Sequence, residues 1–265
     1  MPGIMFARLR ARPYPSRYDR PVVLAHRGAS ADAPENTLAA FREAVRQRAD
    51  GVELDVMRCG SGELVVCHDA WLDRLAGEHV QVARASFDEL RRLDVGKRFG
   101  ERFAGERIPT LAEALLALPR ASVCNVELKN EKLRDHGLAQ AALREIRHSE
   151  SGQEIVISSF DPLSLLRARL FAPRLPCAML VDVSQNLPAR EMAARSLRVA
   201  AIHAEQHLCT KENVKRWHGR GFKVAAYTVD EPADVERCCA AGVDVLITNQ
   251  PRATLASMER LGIGD

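Results

Sequence analysis

The chain has 265 residues, of which 46% are apolar and 28% charged, a composition that excludes a disordered or collagen-like protein and allows one large domain. Lys and Arg total 38 against 35 Asp and Glu, and this net charge of +3 gives no basic field of the kind that marks a nucleic-acid binder. No apolar run approaches the ~18 residues of a membrane span, which argues against stable membrane insertion; seven cysteines, an odd number with no Cys-x-x-Cys pair, argue against a disulfide framework or zinc knuckle and for a reducing, cytoplasmic setting.

Residues 1–20 carry five arginines (Arg8, Arg10, Arg12, Arg17 and Arg20) and one acid, without the apolar stretch of a secretory signal. They read as a loose basic leader outside the fold, followed by a single domain over 21–265. From residue 22 short apolar runs alternate with amphipathic stretches. The runs are Val22–Ala25, Val52–Val56, Leu64–Cys67, Val123–Leu128, Ile155–Ile157, Cys177–Val181, Val199–Ile202, Val224–Thr228 and Val243–Thr248. Helical periodicity falls at Thr37–Arg48, Thr110–Leu118, Ala139–Arg147, Pro162–Phe171, Lys211–His218 and Pro232–Ala241. Such alternation predicts a parallel sheet covered by helices, and about eight units in ~250 residues favour a closed TIM (β/α)8 barrel over an open doubly wound sheet.

Nine runs compete for eight barrel positions. Val52–Val56 and Leu64–Cys67 are the ambiguous pair, because Met57–Glu63 is too short for a helical crossover. They are either a hairpin or parallel strands with a bare return loop. Residues 70–109 break the rhythm, with one helical piece near Phe87–Leu93 and three glycines after it, and are expected to be an insertion after the third strand that caps one barrel face.

The chemistry-bearing residues cluster at strand ends. Ala25-His26-Arg27-Gly28 closes the first run, and in a barrel that end is where active sites sit. Glu35, in Pro34-Glu35-Asn36-Thr37, either belongs to a helix start or reaches back to Arg27. Alternation along Val52–Val56 puts Glu53 and Asp55 on one face and the apolar residues on the other, so both carboxylates point into a barrel. Two buried acids side by side call for a cation, and carboxylate oxygens suit Mg²⁺ or Ca²⁺. Glu127 can complete the oxygen cluster, and Lys129 beside it suits a phosphate. His68-Asp69 offers a second imidazole near neutral pH. His203 and His207 have a metal-like spacing but no helix to align them, and His79, His136, His148 and His218 read as solvated. Three carboxylates, two histidines and two cations are the parts needed to hydrolyse a phosphate ester.

These stretches resemble the glycerophosphodiester phosphodiesterase family. The resemblance is carried by His26-Arg27-Gly28, Pro34-Glu35-Asn36-Thr37-Leu38, Glu53-Leu54-Asp55-Val56, Val65-Val66-Cys67-His68-Asp69 and Glu127-Leu128-Lys129. Ile157-Ser158-Ser159-Phe160, Tyr227-Thr228-Val229-Asp230 and Gly242–Pro251 continue it. It implies a TIM barrel and hydrolysis of a small-molecule glycerophosphodiester to sn-glycerol 3-phosphate and an alcohol. It also implies His26 and His68 as the acid/base pair, Glu53, Asp55 and Glu127 as ligands of one divalent cation, and Arg27 and Lys129 as phosphate contacts. Mg²⁺ is the expected ion, with Ca²⁺ or Mn²⁺ as alternatives. Tyr227 stands where members often have Trp, on the side of the departing alcohol; Asn249 stands where Asp is frequent; and Arg74-Leu75-Ala76 replaces a more usual Arg-Thr-Thr.

We take His26 as the base and His68 as the acid. That chemistry needs His68 beside Asp55, so a parallel return of Leu64–Cys67, or a bend that brings His68 back, is expected. Two other readings are a lysophospholipase D with an acyl groove lined by Trp71, Phe87, Phe99 and Phe103, and a non-catalytic barrel that binds phosphorylated ligands. The sequence leaves the oligomeric state open.

Overall fold

A computed structural model describes residues 13–15, 20–130, 137–149 and 151–264. Eight parallel strands close into a barrel: β1 (Val22–His26), β2 (Gly51–Arg58), β4 (Val123–Leu128), β5 (Glu154–Ser159), β6 (Cys177–Val181), β7 (Ala201–Glu205), β8 (Lys223–Tyr227) and β9 (Val245–Thr248). Each pairs with its neighbour in chain order, and β1 closes the ring by pairing with both β2 and β9. The ninth run is β3 (Leu64–Val66), which lies outside the ring, pairs with β2, and touches the chain before α4 through a Val65–Thr110 bridge.

Helices return the chain between strands: α1 (Leu38–Arg46), then α2 (Asp73–Ala76) and α3 (Phe87–Arg92) in the insertion, α4 (Leu111–Ala117), α5 (Leu138–His148) and α6 (Pro162–Phe171). The series continues with α7 (Leu187–Leu197), α8 (Lys211–Gly219), α9 (Pro232–Ala241) and α10 (Pro251–Arg260). Their starts are written in the sequence. Thr37, Asp161 and Thr210 accept backbone N–H bonds as N-caps, Ser86 with Glu89 and Thr110 with Glu113 form capping boxes, and Pro162, Pro232 and Pro251 sit in the first turn. Among the described residues, no helix is long and apolar enough to cross a membrane.

Strand alternation separates two cores. Outward residues such as Val52, Leu54, Val56, Cys124, Val126 and Leu128 pack under the helices. Inward residues form columns that change character along the barrel axis. Val22, Val123 and Val156 build an apolar floor, whereas His26, Glu127 and Ser158 stand further along the same strands toward their C-terminal ends. The sequence therefore places its polar groups at one end of the barrel and seals the other with aliphatic side chains.

The leader does not lie wholly outside the fold. Tyr14 is 7% exposed, packs among the floor residues, and sets its hydroxyl 2.6 Å from Nε2 of the buried His203. This tyrosine of an arginine-rich stretch finds an apolar socket there, and its hydroxyl finds a buried partner. Of the rest of the expected leader, residues 1–12 and 16–19 lie outside the described residues. His203 itself is in mid-strand and points into the barrel, where burial holds its pKa down at about 3. It is a neutral core group.

Candidate active site

A parallel return of Leu64–Cys67 is overturned: β2 and β3 pair antiparallel, with Val56 opposite Val66 and Arg58 opposite Leu64. The physical reason is the length of β2. It runs three residues past Asp55, beyond the barrel rim, so a hairpin spends those residues outward and recovers them inward. Cys67 N–H then donates to the Asp55 carbonyl at 2.9 Å, which brings His68 back to the rim. The insertion continues from there. Residues such as Leu72, Val82, Leu90 and Val95 pack on Met57, Val65 and Cys67, giving it a small satellite core of its own.

The barrel register sets the acids side by side. Glu53 lies between His26 on β1 and Asn125 on β4, and Asp55 lies opposite Glu127. One carboxylate oxygen from each of Glu53, Asp55 and Glu127 falls within 4.8 Å of the others, and all three residues are buried. Glu53 Oε1 and Asn125 Oδ1 have no hydrogen-bond partner. Buried oxygens left unpaired among three converging carboxylates are what a hard divalent cation satisfies, so the donor set fits one.

The electrostatics divide the three acids. Burial, then the Asp55 and Glu127 charges, push the Glu53 carboxyl well above its ordinary value. Burial and Asp55 also raise Glu127, to about 7, despite the Lys129 ammonium 3.0 Å away. Asp55 is the exception. Burial would raise it too, but Lys129, Arg27, His68 and a hydrogen bond from Asn36 outweigh that and hold it below the usual range.

The loop from β1 to α1 supplies those partners. Arg27 (φ +56) and Gly28 (φ +84) turn the chain back on itself, and a Cβ on Gly28 would fall 2.6 Å from the Ala40 backbone, so only glycine fits under α1. The loop closes when Asn36 N–H donates to the Arg27 carbonyl at 2.8 Å. Arg27 then pairs with Glu35 at 2.9 Å and Asp55 at 3.2 Å, and Asn36 Nδ2 donates to Asp55 Oδ2 at 2.8 Å. Glu35 thus reaches back to Arg27, besides accepting two bonds from Arg74 of the insertion.

Both imidazoles stand at this end. His26 Nε2 is 3.9 Å from Glu53 Oε2, and its Nδ1 is 2.8 Å from Asn249 Oδ1. Burial, then the Arg27 charge, lowers its pKa. His68 is part-buried, with Nδ1 2.8 Å from Asp69 Oδ1, while Asp69 Oδ2 accepts from Arg74. Tyr227 closes the far wall; its hydroxyl donates to the Val181 carbonyl at 2.9 Å, and its ring meets Phe160 edge to face. All eight residues singled out from the sequence therefore belong to the same barrel end. His79, His148 and His218 are exposed, and His136 lies outside the described residues.

Sequence reasoning passed over Asn36, Arg74, Asn125, Asp230 and Asn249 as working parts. Asn125 is announced by its alternation with Glu127, whereas the left-handed φ of Asn36 shows only in the structure. The other three act through hydrogen bonds that no spacing rule reveals.

Comparison with known proteins agrees with this geometry. Residues 26–253 match the model of the glycerophosphoryl diester phosphodiesterase family. A glycerophosphodiester phosphodiesterase from Caldanaerobacter subterraneus is 37% identical over 242 residues, covering 91% of this chain and 98% of the relative. Among solved structures, an Oleispira antarctica phosphodiesterase in complex with the product sn-glycerol-3-phosphate superposes with a TM-score of 0.84 at 27% identity, covering 91% of this chain and 97% of that one. A glycerophosphodiester phosphodiesterase from Thermotoga maritima superposes with a TM-score of 0.73 at 26% identity, covering 91% and 99%. Likeness sustained along whole relatives, and not at a few motifs alone, is kinship: the chain belongs to the glycerophosphoryl diester phosphodiesterase family, hydrolases of phosphoric diesters.

Proposed function

We propose that this enzyme hydrolyses glycerophosphodiesters to sn-glycerol 3-phosphate and a free alcohol, with His26 as general base and His68 as general acid. The observation that carries the reading is the cluster of Glu53, Asp55 and Glu127 with Arg27 and Lys129 alongside, and with His26 and His68 at the same barrel end. Glu53, Asp55 and Glu127 hold one divalent cation. Few protein oxygens, with room for water and substrate, suit Mg²⁺ better than the larger Ca²⁺ shell, with Mn²⁺ as the other candidate. When bound, the ion supplies positive charge for a phosphoryl oxygen.

The chain's own groups do the rest. Arg27 and Lys129 bind the phosphate and balance charge as it develops. The attacking hydroxyl gives its proton to His26 Nε2 as its oxygen bonds to phosphorus. His68 gives a proton to the departing alcohol oxygen as the other P–O bond breaks, and Tyr227 forms the wall on that side. The solved relative in complex with sn-glycerol-3-phosphate supports a small-molecule substrate of this class, and an odd number of cysteines with no Cys-x-x-Cys pair supports a reducing cytoplasm. The relatives, which are glycerophosphodiester phosphodiesterases, do not favour the reading of a lysophospholipase D with an acyl groove in the insertion.

The test uses leaving groups. On glycerophosphocholine, His68→Ala should lose about 10²–10⁴ in kcat. On the p-nitrophenyl analogue, whose phenolate leaves without a proton, the same variant should lose under about tenfold, whereas His26→Ala should fail on both. Equal losses for His68→Ala on the two substrates would remove it as the acid, and full activity after exhaustive chelation would remove the cation.

A further inference from the structure

His26 is held by a chain of groups that neither the family match nor the relatives assign. Its Nδ1 lies 2.8 Å from Asn249 Oδ1, which also accepts from the Ser30 hydroxyl at 2.7 Å. Asn249 Nδ2 donates to Asp230 Oδ2 at 2.6 Å. Asp230 Oδ1 in turn accepts from the Asn249 backbone N–H at 2.7 Å and the Thr248 hydroxyl at 3.0 Å. A carboxylate only accepts, so the Asn249 amide must turn its NH₂ to Asp230 and its oxygen to His26. That oxygen cannot donate, so the proton of the neutral imidazole sits on Nδ1. The Nε2 lone pair is then the one that faces Glu53 and the pocket.

We propose that Asn249, oriented by Asp230, is a positioning residue that fixes both the ring and the tautomer of His26. Neither residue touches the reacting atoms; Asp230 works on Asn249, and Asn249 on the imidazole. The inference rests on the reading of His26 as the proton acceptor, because only the Nδ1–H tautomer leaves Nε2 free to take a proton. It also explains how this chain functions with an amide at 249: the negative charge is present, carried one hydrogen bond further out on Asp230.

The test is a set of variants read by steady-state kinetics with glycerophosphocholine and by ¹⁵N chemical shifts of the imidazole nitrogens. Asn249→Ala and the isosteric Asp230→Asn should each lower kcat by about 10–100-fold. KM should stay within about threefold, since neither residue meets the substrate. In both variants the His26 signals should move from a pure Nδ1–H pattern toward a tautomer mixture. Asn249→Asp alone sets two carboxylates against each other and should also be impaired. Adding Asp230→Asn to it restores the pattern with the amide and acid exchanged, and should recover kcat to within about tenfold of the native enzyme. That recovery also separates positioning from misfolding. If Asn249→Ala keeps kcat within threefold or leaves the tautomer unchanged while His26→Ala is inactive, the positioning role is wrong and the base assignment stands. If His26→Ala stays active, the base assignment fails, and the tautomer signal in Asn249→Ala alone decides whether the amide fixes the ring.

Discussion

Glu53 and Asp55 stand two residues apart on one strand and carry opposite electrostatics. Asp55 has the cations and the Asn36 amide, and is held down; Glu53 has burial and two acidic neighbours, and is pushed up with Glu127. Without a cation, Glu53 and Glu127 therefore keep protons at pH values where the unfolded chain has lost them. A folded state that binds more protons than the unfolded one loses stability as pH rises, here through the window from the ordinary Glu value up to about 7 for Glu127. A divalent ion needs the same oxygens deprotonated, so it competes with those protons. The expected outcome is that the metal-free enzyme melts at a lower temperature at pH 8 than at pH 6, and that Mg²⁺ raises Tm more at pH 8. Thermal melts at the two pH values check both, and a larger Mg²⁺ shift at pH 6 would contradict the pKa directions.

At the level of elements, the hairpin and the insertion brace the catalytic rim. The insertion reaches the site through Arg74, which binds Glu35 twice and Asp69 once. Glu35 steadies Arg27, and Asp69 steadies His68. Arg74 is half exposed, so these ion pairs contribute little to folding, under about 1 kcal/mol. Losing them frees two working side chains at once. Arg74→Ala should leave the denaturant midpoint nearly unchanged while kcat/KM falls about tenfold or more. A large stability loss with normal kinetics would make the insertion a purely structural cap. The alternation of β2 showed which of its residues face inward, because the period of two depends only on local backbone geometry. The direction of β3 did not show, since the same three residues of text fit a hairpin or a bare return until the overrun of β2 is known.

Across the whole molecule, function and closure occupy opposite ends of one barrel. The floor is sealed partly by Tyr14, 189 positions away from His203 in sequence. His203 Nδ1 already lacks a partner, so removing the Tyr14 hydroxyl strands the whole imidazole in an apolar core. Tyr14→Phe should cost about 1–3 kcal/mol in urea unfolding and leave kcat within about twofold. If kcat fell with stability, the floor and the catalytic end would not be independent.

Strand–helix alternation and helix caps act within a few residues of themselves, so the barrel, most of its helices and the inward acids of β2 and β4 were legible from the sequence alone; α7 and α10 had no stretch assigned to them. The convergence of motifs identified the family for the same reason, since each is a local answer to a local demand. The partners of the site residues were not legible. Asn249 meets His26 across 223 positions, Arg74 meets Glu35 across 39, and Tyr14 finds its socket only once eight strands have closed around it. Such contacts are set by the closure of the ring and the reach of side chains across it, and neither quantity exists until the chain has folded.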